Sequence, residues 1–343
     1  MFIKKDKRKI NEILQQEAGK VEELKLSKRT SEFQGTLRIL CHESKINALK
    51  NLKKLNLYDN TLSSVEGIGI LSQTPLEELN IGGNKLDKLP MEFGTLQTLK
   101  ELWLDDNHFD VFPSCLCQLQ QLTSLRMPGN GIKTVPTLIS SLDHLEILAL
   151  DNNQLSEFPE GCANLPDLKQ LWIRQNRISR LPDSIDLLGS CLQVLSISSN
   201  SLLELPEAVA NLHSLRKLYA NGNMIRSVPE NLCMLPDLQE VNLANNQLAS
   251  LPSLWVDMWG KLQVNTGYLV KVDTADEEQE EDEDEAVFAG IGTTATTGNN
   301  DSNIIPNVSV LLLANPIVTI AAKQLANARA ERVARVAGAT ASL

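Results

Sequence analysis

Residues 168–182 read LKQLWIRQNRISRLP. Leu168, Leu171 and Ile173 are spaced so that Leu171 and Ile173 face one way across a short strand and Trp172 and Arg174 face the other. Asn176 follows where the chain leaves the strand, and Leu181-Pro182 closes the phrase. The largest apolar side chain of the stretch is therefore on the face turned away from the core.

The phrase is one copy of many. LKKLNLYDNTL starts at Leu52, LEELNIGGNKL at Leu76, LKELWLDDNHF at Leu99 and LTSLRMPGNGI at Leu122. LEILALDNNQL starts at Leu145, LQVLSISSNSL at Leu192, LRKLYANGNMI at Leu215 and LQEVNLANNQL at Leu238. With the copy at Leu168 there are nine, and their starts are 23 or 24 residues apart. Self-similarity at such a period is the mark of a solenoid, in which each turn buries its apolar face only against its neighbours.

Each conserved place in the phrase has a physical cause. Two aliphatics around one outward residue form a short strand, and successive strands stack in parallel. The ninth place is asparagine in every copy: Asn60, Asn84, Asn107, Asn130, Asn153, Asn176, Asn200, Asn223 and Asn246. A buried amide both donates and accepts, so it can satisfy backbone groups where the chain turns off the strand. Eight copies then carry an apolar residue followed by proline, as in Leu89-Pro90 and Phe112-Pro113. Proline fixes φ and donates no amide, which suits a turn onto the outer face. The remaining residues of each copy have apolar spacing that predicts a short helical turn there.

This pattern resembles the leucine-rich repeat family, in its 23-residue intracellular Ras-group-like type, over Leu52 to Pro252. The resemblance implies an α/β fold: a leucine-rich repeat solenoid with a curved parallel β-sheet on the concave face, short helical turns on the convex face and helical end caps. It also implies a non-catalytic scaffold or adaptor that binds a folded protein on its concave face, in small-GTPase or phosphatase signalling.

The ends predict caps. Ile10, Ile13 and Leu14 have helical spacing, so residues 1–20 are expected to form a capping helix. A degenerate copy, VEELKLSKRTS, follows at Val21 with Arg29 in place of the asparagine. A second degenerate copy, WGKLQVNTGYL, starts at Trp259, so the solenoid is expected to span 21–272. Asp273 to Glu285 holds ten carboxylates and no base, which accounts for nearly all of the net charge of −11. With the Gly/Thr/Asn-rich stretch after it, residues 273–306 are expected to be a disordered insertion. NVSVLLLANPI then restores the register, making 307–343 a terminal repeat and closing helix. The rival view of Ile304 to Ala322 as a membrane anchor is disfavoured by Pro306, Asn307, Asn315 and Pro316 inside it.

The chemistry-bearing residues point to binding. A chain this acidic lacks the footprint for nucleic acid. The four histidines are scattered, GIGTTATTG follows no strand and precedes no lysine, and the six cysteines show no zinc spacing, so no enzyme, cofactor or metal site is expected. Scattered thiols and the absence of a secretory signal predict a cytoplasmic protein, with the nucleus as an alternative. A second class of function pairs the acidic run with basic partners such as histones.

The outward fifth place of the repeat is the informative one. It reads Asn56, Asn80, Trp103, Arg126, Ala149, Trp172, Ser196, Tyr219 and Asn242. At about 4.8 Å per strand, Trp103 and Trp172 lie about 14 Å apart on one row, with Tyr219 two repeats further on. Such rings can simply cover a sheet and stack on one another. Three on one row, with arginine between, favour an interface, because Trp, Tyr and Arg dominate binding hot spots. The expected contact set is Tyr58, Trp103, Asp105, Arg126, Asp151, Trp172, Arg174, Lys217 and Tyr219.

Overall fold

The structure is a computed structural model that describes residues 9–17 and 19–255 fully and residues 309–311 through their backbone. Its organising element is one sheet of eleven parallel strands in chain order. The strands are β1 Glu23–Lys25, β2 Lys54–Asn56, β3 Glu78–Asn80 and β4 Glu101–Trp103. There follow β5 Ser124–Arg126, β6 Ile147–Ala149, β7 Gln170–Trp172 and β8 Val194–Ser196. β9 Lys217–Tyr219, β10 Glu240–Asn242 and β11 Ser309–Leu311 complete the sheet. Register is kept throughout, so equivalent places of successive repeats lie side by side. Leu102, Leu125, Leu148, Leu171, Leu195 and Leu218 form one continuous file.

That file is the core. The strand-centre leucines from β3 to β9 are fully buried, and so are Ile81, Leu104, Leu150, Ile173 and Ile197 two places further on. Opposite the sheet run eight short 3-10 turns, from Ile68–Gln73 to Glu230–Met234. Seven start directly after a proline, whose fixed φ suits the capping place and whose carbonyl accepts the first hydrogen bond of the turn, as Pro90 O does from Phe93 N.

The asparagines form the expected ladder. Asn107 Nδ2 donates to Leu104 O of its own turn and to Ile81 O of the turn before, and its Oδ1 accepts from Leu86 N. Asn153 repeats this with Leu150 O, Met127 O and Ile132 N. Asn246 does so with Leu243 O, Ala220 O and Ile225 N. Each amide thus satisfies carbonyls and an N–H that the strand-to-turn bend leaves without ladder partners. At the front, Arg29 N donates to Asn60 Oδ1, while the Arg29 side chain, in the ladder place of its own turn, pairs with Glu32 at 3.1 Å.

Helix α1, Ile10–Gln16, buries Ile10, Ile13 and Leu14 in the core over the first turn. At the other end Trp255 is fully buried, and its indole N–H donates to Pro229 O and Glu230 O. β11 pairs directly with β10, Val310 opposite Val241. The strand next to β10 in the sheet therefore comes from the copy at 307, not from the stretch at 259. The degenerate copy at 259, the acidic insertion and the closing helix lie outside the described residues.

Charges of alternating sign occupy the second place of the first turns, Glu22, Lys53, Glu77 and Lys100, and again at Glu146 and Lys169. Lys53 bridges Glu22 at 3.3 Å, Lys100 bridges Glu77 at 3.2 Å and Lys169 bridges Glu146 at 2.7 Å. Backbone hydrogen bonds link these residues turn to turn, as from Glu77 N to Lys53 O.

Candidate functional site

The outward places of β4 to β9 build a groove on the sheet face. Register sets Trp103, Arg126, Ala149, Trp172, Ser196 and Tyr219 side by side. Large side chains alternate with small ones along much of this row, and the small ones decide the shape. Ser196 lies between Trp172 and Tyr219 and is 2% exposed, because the two rings lean together above it. Their centroids are 6.3 Å apart with planes 23° from parallel. Ala149, also 2% exposed, separates Arg126 from Trp172. On its other side the Arg126 guanidinium lies 5.9 Å from the centre of the Trp103 ring, a cation–π contact.

The groove has a volume of about 600 Å³. Trp172, Tyr219, Ile147 and Val194 supply its apolar surface, and Arg126, Arg174 and Lys217 its charge. Trp172 Nε1 donates to Gln170 Oε1 at 3.2 Å, which orients the indole. The Tyr219 hydroxyl donates to Glu240 Oε2 at 2.9 Å, and Lys217 Nζ lies 3.8 Å from the same oxygen. Burial, and then Glu240, hold the Tyr219 hydroxyl protonated above its ordinary range.

Two carboxylates sit behind this surface. Asp151 is buried; its Oδ1 accepts from Arg174 N at 2.8 Å and its Oδ2 lies 3.6 Å from Arg174 Nε. Burial pushes its carboxyl up to about 6, against the pull of the Arg174 backbone N–H and guanidinium. Burial likewise pushes Asp105 up to about 7, with Arg126 opposing and Asp106 adding to the rise. Asp105 Oδ1 is buried with no hydrogen-bond partner among the described residues.

Of the nine residues expected to form the contact set, Arg126, Trp172, Arg174, Lys217 and Tyr219 line the one groove. Trp103 adjoins it through Arg126, and Asp105 and Asp151 lie beneath its cations. Tyr58 is elsewhere: its ring lies against Gly83 in the next turn, where an added Cβ would come within 3.0 Å of it. Val194, Ser198, Ser199 and Asn221 also line the groove and were not anticipated; nor was Glu240 as the partner of Tyr219. They occupy the third, seventh and eighth places of the repeat, so carrying those columns through every copy would have found them.

The rest of the surface holds less. A depression of about 300 Å³ lies against Phe158, Arg180 and Pro182, with Glu157, Glu160 and Asp183 on its rim. The six thiols are free, and burial raises all of them, Cys117 to about 11 and Cys41 to about 12. They therefore act as small apolar groups, since the thiolate is the nucleophile. Among the described residues no group of three or more His, Cys, Asp or Glu is placed to hold a metal, and no helix is long and apolar enough to cross a membrane.

Comparison with known proteins bears on the repeat. Residues 98–119 match a leucine-rich repeat model, residues 166–225 a second, and residues 213–254 a two-copy leucine-rich repeat model. The fold is a leucine-rich repeat solenoid. Its solved neighbours include a TDR receptor, at 24% identity and TM-score 0.52, covering 68% of this chain and 44% of that one. The PEPR1–AtPEP1 structure matches at 24% identity and TM-score 0.53, covering 67% of this chain and 32% of that one. A leucine-rich repeat protein of Leptospira interrogans aligns at 26% identity over 74% of this chain and 85% of that one, at TM-score 0.33. The solenoid thus spans less than half the length of the TDR receptor and PEPR1 chains. No curated protein matches it.

Proposed function

We propose that this solenoid is a non-catalytic scaffold that grips a partner protein on its sheet face, over β5 to β9. The carrying observation is the stacked Trp172–Tyr219 pair. Both rings are held partly exposed in the groove, above a serine that they bury. A fold needs aromatic area in its core, where Phe93, Phe109 and Trp255 already sit. Rings left partly wet beside arginines are instead the anchors of an interface, able to bury much area with few rotors to freeze. Leucine-rich repeats generally mediate protein–protein contact, which supports the same class of partner.

Placement in a cytoplasmic small-GTPase or phosphatase pathway rests on the resemblance of the repeat to the intracellular 23-residue type. Affinity capture from the native cell tests the site. Trp172→Ala with Tyr219→Ala should remove the specific partners while the far-ultraviolet circular dichroism stays unchanged. Retention of the full partner set by that folded double variant would overturn the proposal.

A further inference from the structure

We propose that the groove over β5 to β9 takes an extended acidic peptide, in which a carboxylate or phosphate lies next to an aromatic or aliphatic side chain. This rests on the proposed use of the sheet face as an interaction surface and adds the chemistry of the occupant.

Charge is the first argument. The residues lining the groove include three cations, Arg126, Arg174 and Lys217, and no carboxylate, in a chain whose net charge is −11. The nearby acids are turned to other work: Asp151 is buried against the Arg174 backbone, and Glu240 accepts from Tyr219. Arg174 Nε to Asp151 and Lys217 Nζ to Glu240 are 3.6 and 3.8 Å, too long for hydrogen bonds. Turning either cation toward a ligand anion therefore gives up a long ion-pair contact but no hydrogen bond to these acids, and arginine presents a fork that matches a carboxylate or phosphate in two places.

Shape is the second. β5 to β9 cover four strand spacings, about 19 Å, which an extended chain crosses in about six residues. The apolar surface of Ile147, Trp172, Val194 and Tyr219 lies among the cations, so an anion on the ligand places its neighbouring side chain on the rings. The third direction is closed by repulsion. On the preceding turns the sheet face and its edge carry Glu101 and Asp106, which disfavour extension of an acidic segment beyond β5.

Panning a phage-displayed random dodecapeptide library on the full-length chain tests this. Enriched sequences should carry Asp or Glu within three residues of Phe, Tyr, Trp or Leu. A synthetic enriched peptide should bind at least tenfold more weakly when its acid becomes the amide, and keep its affinity when phosphoserine replaces the acid. It should lose a similar factor on Arg174→Gln, and on Lys217→Gln as a second variant should the first fail to fold. Neutral or basic enriched sequences, or none, would overturn the proposal. If neutral peptides bind and are lost on Trp172→Ala with Tyr219→Ala, the groove stands and its acidic specificity falls. Insensitivity to every one of these substitutions removes both. Binding seen only after residues 273–285 are replaced by Gly and Ser would make the chain's own acidic run the occupant, and overturn the peptide partner.

Discussion

The eighth place of the repeat shows how much a single residue is asked to do. Lys28, Asp59, Gly83, Asp106, Gly129, Asn152, Gln175, Ser199, Gly222 and Asn245 all have positive φ, between 49° and 69°. The chain must turn back sharply from strand to ladder asparagine, and a left-handed residue makes that turn. Gly, Asn and Asp fill most of these places because they tolerate it; Gln175 does not escape the cost of roughly 1–2 kcal/mol for a left-handed side-chain-bearing residue. Gln175→Gly is therefore expected to stabilise the fold by about 0.5 kcal/mol, the relief being partly offset by the flexibility glycine adds to the unfolded chain. Gly83→Ala should cost about 1–2 kcal/mol, since its Cβ would also press on the Tyr58 ring. Urea melts of the two variants check both signs, and equal effects would refute the assignment. The tryptophans divide in the same spirit: Trp255 is core, with its N–H bonded to backbone, whereas Trp103 and Trp172 stay at the surface.

At the scale of the element, the turns that follow β4 and β6 store acid. Asp105 and Asp151 occupy the same seventh place two turns apart, and both bind protons more tightly when folded than when unfolded. The sign follows directly. A raised carboxyl means the folded state holds more protons between about pH 4 and 7, so stability falls as pH rises through that window. Asp105→Asn should raise stability at pH 8 by on the order of 2 kcal/mol and leave it little changed at pH 4. Thermal melts at the two pH values decide; an equal shift at both would show that the carboxyl is not the cause. What was legible beforehand follows the same division. Leu171, Ile173 and Asn176 announce their places because burial and hydrogen bonding allow few residue types there. The row Trp103, Arg126, Trp172 and Tyr219 was legible because a period of two and a fixed register leave no choice of face. The inward lean of Trp172 and Tyr219 over Ser196, and the hold of Glu240 on Tyr219, depend on rotamers, which no repeat pattern encodes.

For the whole molecule, β11 at Ser309–Leu311 pairs directly on β10, whose own turn is described as far as Trp255. Joining Trp255 to Asn307 through a linker of about eight Gly and Ser residues should then leave the melting temperature within about 2 °C, because loop length enters stability only logarithmically. Loss of a cooperative melt would show that the excised residues belong to the stack. A stack of near-identical turns also faces a hazard that ordinary domains do not: a growing chain can omit a turn and still bury leucine on leucine. The row Glu22, Lys53, Glu77, Lys100 bears on that hazard. Its exposed bridges add little to stability. Omit one turn, however, and Glu22 meets Glu77 or Lys53 meets Lys100, like charge on like, a penalty where there was attraction. Over these front turns the row therefore works as a parity check on assembly, rejecting a miscounted stack rather than strengthening the correct one.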